Sequence, residues 1–201
     1  MAMLQALKKT FPSSQVKGCN FHFNQCIYRK IQELGLVKDY TENEEVRTYI
    51  RMIAALAHIP PQCIDYGYDH LMANVPAAEG IVEFNNYVTE QWFNNPHVGY
   101  MWNCYNERHR TTNIVETWHS CLNKSIRKSH PNIVELIIKL KEDAKFYDLK
   151  RMQLRLNMQG NKRQKKYIDL DKRIERITTD LLQGRKSLAN CLLALAHRVK
   201  L

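Results

Sequence analysis

The fold class is decided by residues 21–35, which read FHFNQCIYRKIQELG. Phe23, Ile27, Ile31 and Leu34 recur there at spacings of four, four and three, the repeat of an α-helix with one apolar face. Similar patterns, separated by proline, glycine or asparagine breaks, predict further helices over 2–10, 43–58, 77–93, 113–128, 131–158, 163–183 and 188–199.

Composition supports this helical prediction. The 201 residues include 7 glycines and 6 prolines, too few for a turn-rich β protein. A strand is expected only at residues 15–19, and residues 62–75 carry no clear pattern. Hydrophobic residues make up 44% and charged residues 25%, which indicates one globular domain, or one with an appendage, and excludes wholesale disorder. The sequence therefore predicts a mainly α fold with at most one or two short strands.

The positive charge is unevenly distributed. Residues 1–119 hold 10 basic and 12 acidic side chains, a net charge of −2, whereas residues 120–201 hold 20 basic and 8 acidic ones, a net charge of +12. This asymmetry indicates a polyanionic partner, nucleic acid before membrane, although a solvated helix surface would also explain it. We expect no membrane span, because no apolar run is long enough, and the six scattered cysteines indicate reduced thiols of an intracellular protein.

The first chemical motif is a CxxH formed by Cys19 and His22. Both are zinc ligands in type, but a structural site needs four ligands, and His97 with Cys104 is the available second pair. The interpretation that we favour is a buried, hydrogen-bonded Cys and His at the start of the helix, with zinc as the less favoured one.

The second motif reads RHRTTNIVETWHS over residues 108–120. Glu116 next to His119, preceded by Arg108 and Arg110, could hold a divalent metal near phosphates. The apolar face of the same helix would consist of Ile114, Trp118, Cys121 and Leu122. The alternative interpretation is a capping box, because Asn113 precedes Glu116 by three residues.

The third motif is a basic run at residues 161–167, NKRQKKY. Lys162, Arg163, Lys165 and Lys166 could grip a phosphate backbone. A nuclear localisation signal and a solvated helix start fit the run as well.

A narrow apolar seam follows the basic run, at spacings of three and four: Tyr167, Leu170, Ile174, Ile177 and Leu181. Such a seam needs one partner helix, and the predicted partner is the helix across the turn at Gly160. If the seam instead joins two chains, the protein is a helical interaction module or a homo-oligomer.

Two of these motifs together resemble Mutator-like element (MULE) transposases. The segment FPSSQVKGCNFHFNQCIYRKIQELGL (11–36) resembles the part where a CxxH strand runs into a helix. The segments RTTNIVETWHSCLNKSI (110–126) and HPNIVELIIKLKED (130–143) resemble the later block with an acidic helix. The resemblance implies an RNase H-like catalytic domain interrupted by a helical insertion, in which two aspartates and one glutamate hold Mg²⁺ or Mn²⁺ for DNA strand transfer.

Carried over residue by residue, the resemblance makes Glu116 the glutamate of that triad, Cys19 and His22 the family CxxH, and Asn113 and His119 part of the acidic-helix motif. The expected segments are the end of the RNase H-like core (1–35), the insertion (36–107), the core helix (108–130) and basic C-terminal helices (131–201). Neither aspartate has a counterpart here, so we expect a truncated C-terminal part in the nucleus that binds DNA without cleaving it. The alternatives are a helical protein-protein interaction module and an active metal-dependent nuclease.

Overall fold

The computed structural model describes residues 2–158 and 163–201, and in these ranges every regular element is helical. The α-helices are α1 (Ala2–Thr10), α2 (Asn20–Glu33), α3 (Val37–Glu42), α4 (Glu44–Ala55), α5 (Ile64–Met72), α6 (Ile81–Val88), α7 (Asn113–Ile126), α8 (Ile133–Arg155), α9 (Lys165–Leu182) and α10 (Leu188–Ala196). The predicted mainly α fold is confirmed. None of these helices is both long and apolar enough to cross a bilayer.

The one predicted strand, at residues 15–19, is wrong. This segment has extended backbone at Cys19, and the Gly18 amide donates to the Met101 carbonyl at 2.7 Å. A single backbone hydrogen bond between two segments does not form a β-ladder. The next backbone bond along the chain joins the Asn20 amide, already in α2, to the Arg110 carbonyl at 2.8 Å.

The chain divides into two compact units. Unit 1 comprises the residues up to Thr111 together with Asp169–Leu201, and unit 2 comprises Thr112–Ile168. Unit 1 thus contains the whole predicted insertion, 36–107, while the predicted C-terminal segment, 131–201, is shared between the units.

Unit 1 is built around the apolar faces of α2, α4, α5, α6 and α10. Three residues of the predicted repeat of α2 are buried and the fourth, Leu34, is half-buried. Helix α10 packs along α4 with Leu192 and Leu195 fully buried. Gly67 allows α5 to pack closely against Leu56 and Leu192, because a Cβ at position 67 would lie 2.8 Å from Leu56 Cδ2 and 3.5 Å from Leu192 Cδ1. An aromatic cluster extends this core, with Phe23 stacked on Trp102 at a centroid distance of 5.1 Å.

The seam of α9 packs on unit 1. Ile177 is buried, Ile174 and Leu181 pack against the same core, and the Cys191 thiol of α10 lies 3.8 Å from the Ile177 carbonyl. The prediction that α8 is the partner of this seam is therefore wrong for these three residues. The predicted turn residue, Gly160, lies outside the described residues.

Unit 2 is a pair of packed helices, α7 and α8. The Asn132 side chain caps α8 by accepting from the Glu135 amide at 2.8 Å, and Trp118 Nε1 of α7 donates to Asp143 of α8. Pro131, expected in the first turn, precedes this cap. Most large apolar side chains of α8 are solvent-exposed, and Ile133 retains 67% of its accessible surface.

Candidate nucleic-acid interface

The CxxH motif lies at the start of α2. Cys19 is the half-buried N-cap residue, and its side chain makes no capping bond to the helix. His22 is exposed, with its ring 5.5 Å from that of Phe21. The prediction of a buried Cys and His pair is therefore wrong for His22.

Cys104 has a different partner from the predicted one. Its thiol lies 3.2 Å from Nδ1 of His58 and 3.2 Å from the Ala57 carbonyl, whereas His97 is exposed. Among the described residues, no three His, Cys, Asp or Glu side chains form a group that could hold a metal. The four proposed zinc ligands are thus not assembled, and no local sequence pattern links positions 58 and 104.

The buried Cys104 and His58 side chains are both neutral at pH 7. Burial raises the pKa of the Cys104 thiol to about 12. Burial, together with the positive charge of Arg110, lowers the pKa of His58 to about 4. Because a nucleophilic cysteine requires a thiolate, this pair is a hydrogen-bonded element of the core rather than a catalytic dyad.

Arg110 is held inside unit 1. Its guanidinium lies 2.6 Å from an Asp171 oxygen of α9, and its side chain retains only 15% of its accessible surface. Its carbonyl accepts the Asn20 amide. Arg110 therefore fixes the chain around His58 and offers little to a phosphate, whereas Arg108 is exposed.

Glu116 is exposed in the first turn of α7. Its Oε1 accepts the Thr112 hydroxyl at 2.7 Å, and Thr112, not Asn113, is the N-cap residue. The predicted capping box with Asn113 is therefore wrong. His119, one turn on, is also exposed, with its ring 5.0 Å from that of Trp118.

The Glu116 carboxylate does not fit a two-metal centre by itself. Two-metal centres hold ions about 3.5 to 4 Å apart between several carboxylates. In the described ranges, Glu116 belongs to no group of three or more His, Cys, Asp or Glu side chains that could bind a metal. The predicted apolar face of α7 is only partly covered, because Ile114 and Cys121 are exposed whereas Trp118 and Leu122 are half-buried.

The basic run is only partly within the described residues. Lys162 lies outside them, and Arg163 is half-buried. Lys165 and Lys166 are exposed in the first turn of α9, and Lys166 Nζ lies 4.8 Å from the Tyr167 ring centroid. The positive end of the helix dipole adds to the attraction that these two lysines exert on an anion.

The positive charge belongs mainly to unit 2. Its sequence holds 13 basic and 5 acidic side chains, a net charge of +8, whereas unit 1 holds 17 and 15, a net charge of +2. Because unit 2 is also the smaller unit, its net charge per residue is far higher than that of unit 1.

All five carboxylates of unit 2 already have partners within the unit. Lys128, Lys139 and Arg151 pair with Glu135, Glu142 and Asp148 at 3.2, 2.8 and 3.1 Å. Asp143 and Glu116 accept from Trp118 and Thr112. Eight exposed cations therefore have no carboxylate partner in the part of unit 2 that the structure describes. Lys150 lies over the Phe146 ring, and Lys165 and Lys166 belong to the basic run described above. The other five are Lys124, Arg127, Lys141, Lys145 and Arg155.

These five cations form the candidate nucleic-acid interface. Three of them lie on α8, which is about 35 Å long, the length of roughly ten base pairs of duplex. The uneven charge in the sequence indicated this region, but not these individual residues.

No family model, no curated protein and no solved structure matches the chain.

Proposed function

We propose that this chain is the C-terminal part of a MULE-type transposase, acts in the nucleus, and holds DNA through its phosphate backbone. The resemblance of residues 11–36 and 110–143 supports the family. The observation that carries the DNA-binding proposal is the set of five unpaired, exposed cations in a unit of net charge +8.

The proposed contact is with phosphates and independent of sequence. Lysine and arginine side chains on an exposed helix reach the phosphates, and each neutralised phosphate releases condensed counterions. The apolar side chains between these cations offer no hydrogen bonds to base edges. Binding of this kind weakens steeply with salt and discriminates little between DNA sequences.

The proposal does not include strand cleavage by this chain alone. By the resemblance, residues 1–201 supply one of the three family carboxylates, Glu116, and one carboxylate does not assemble a two-metal centre. Incubation with supercoiled DNA and Mg²⁺ or Mn²⁺ should leave the DNA uncut. Nicking that disappears in Glu116→Gln would contradict this part of the proposal.

A matched pair of triple variants tests the interface. The first replaces Lys124, Lys145 and Arg155 of unit 2 with glutamine, and the control replaces the exposed Lys8, Lys9 and Lys38 of unit 1. Both variants lose three positive charges, so a contribution from net charge alone would affect them equally.

The measurement is fluorescence anisotropy on a labelled duplex at several salt concentrations. We expect the unit 2 variant to reduce the slope of log K against log salt by about 2 to 3, and the control to leave it within about 0.5 of the original. An equal reduction of the slope by the two variants would contradict the assignment of the interface to unit 2.

A further inference from the structure

An apolar stripe, interrupted once near its end by Arg151, runs along the exposed side of α8. Ile133, Ile137, Leu140, Ala144 and Tyr147 recur at spacings of four and three, and after Arg151 the stripe resumes at Leu154. All are exposed, and together they span about 30 Å of helix. The side of α8 that contacts α7 is a different one, which carries Asp143 and Phe146. Exposed apolar stripes of this length mark interaction surfaces.

The spacing is that of a heptad repeat with a and d positions. Ile137, Ala144 and Arg151 are the a positions, and Ile133, Leu140, Tyr147 and Leu154 are the d positions. A second apolar surface of α8, with Ile138 and Met152, carries Lys145 at the middle of the helix, whereas the cation of the first stripe, Arg151, lies near the helix end.

Charges beside the stripe favour one partner and one orientation. In an antiparallel pair of α8 helices, Ala144 faces Tyr147 of the other copy, small against large. Lys141 then lies opposite Asp148 of the other copy, and Asp143 opposite its Lys150, each contact occurring twice by symmetry. Both contacts join opposite charges.

The parallel arrangement places like charges together. There the flanking positions pair Asp143 with Asp148 of the other copy, and Lys150 with its Arg155. Like charges at such positions disfavour association. The charge pattern of α8 is thus self-complementary only when the two helices run in opposite directions.

We propose that the α8 stripe is the interface of an antiparallel homodimer. This inference goes beyond DNA binding and does not depend on it, since it rests on α8 alone. The dimer places two units of net charge +8 in one particle. Lys141 pairs across the seam in this dimer, and the other four cations of the candidate interface remain for phosphate.

Two adjacent residues provide a matched test. Ile137 is in the stripe and retains 44% of its surface, whereas Ile138 is outside it and retains 51%. In sedimentation velocity across a wide range of protein concentration, the chain should form dimers, and Ile137→Asp should raise the dimer dissociation constant at least about tenfold. Ile138→Asp should leave it within about twofold.

A charge swap tests the orientation. Lys141→Glu should weaken the dimer, and the double variant Lys141→Glu with Asp148→Lys should restore it. Because Asp148 also pairs with Arg151 of its own helix at 3.1 Å, the restoration is the informative comparison. In a parallel dimer, Asp148→Lys alone would strengthen association by relieving the contact with Asp143.

A monomer at every concentration, a dimer insensitive to Ile137→Asp, or a dimer strengthened by Asp148→Lys alone would each overturn the proposal. Circular dichroism of every variant should retain the helical signal, because all substituted positions are solvent-exposed. DNA binding by a monomeric chain would leave the proposed function intact while removing this inference.

Discussion

The buried imidazole of His58 should make unit 1 sensitive to acid in a defined pH window. Burial and the positive charge of Arg110 lower its pKa from 6.5 to about 4 in the folded chain, whereas the unfolded chain retains the ordinary value. At pH values between about 4 and 6.5, the unfolded chain binds a proton at His58 that the folded chain does not bind. The free energy of unfolding therefore falls as the pH falls from 6.5 to 4, and this contribution levels off below 4.

The magnitude follows from the pKa difference. Each pH unit of difference corresponds to about 1.4 kcal/mol, so the His58 contribution amounts to about 3 kcal/mol across the window. That is a large part of the roughly 5 to 15 kcal/mol that holds a typical domain together.

Urea unfolding of His58→Gln and the unmodified chain at pH 7 and at pH 4 measures this contribution. A Trp118→Phe background restricts the fluorescence signal to Trp92 and Trp102, which lie in unit 1. Glutamine does not titrate, so the stability advantage of the unmodified chain over His58→Gln at pH 7 should shrink by about 3 kcal/mol at pH 4.

His97→Gln is the control, because His97 is exposed in the same unit. It replaces an exposed imidazole by the same side chain and so measures the effect of the chemical change itself. The reasoning fails if the stability difference between His58→Gln and the unmodified chain is the same at pH 7 and pH 4, since His58 would then titrate alike in the folded and unfolded chain.

Two further predictions concern packing and capping. Leu192→Ala should lower the unfolding free energy of unit 1, measured in urea, by about 2 to 5 kcal/mol because Leu192 is fully buried against α4. Leu193 is 40% exposed, so Leu193→Ala should lower it by less than about 1 kcal/mol. Similar losses in the two variants would contradict the core described for α10. Asn132→Ala should lower the unfolding free energy of unit 2, followed by Trp118 fluorescence, by about 1 kcal/mol because it removes the cap of α8, and an unchanged value would show that the cap is dispensable.

Helices with a long apolar repeat were predictable from sequence. The spacings in α2 identified Phe23, Ile27 and Ile31, all of which are buried. Helix α3 was missed because its six residues are too few to display a repeat. The strand predicted at residues 15–19 is wrong because a sequence pattern can indicate extended backbone but not whether a neighbouring strand pairs with it.

Non-local partners were not predictable. The seam of α9 was recognised from Ile174 and Ile177, but periodicity does not reveal which surface a seam meets, and here it is the unit 1 core. The contact between Cys104 and His58 joins residues 46 positions apart. Likewise, the charge count located the basic region, but the pairing of its carboxylates decides which cations remain available to phosphate.

The salt dependence of DNA binding by the unmodified chain tests the central claim most directly. If the five cations of the candidate nucleic-acid interface each neutralise one phosphate, the slope of log K against log salt should be about −4 to −5, with similar affinities for unrelated duplexes. A slope near zero, or the absence of binding at low salt, would contradict the assignment of unit 2 as a DNA-backbone interface.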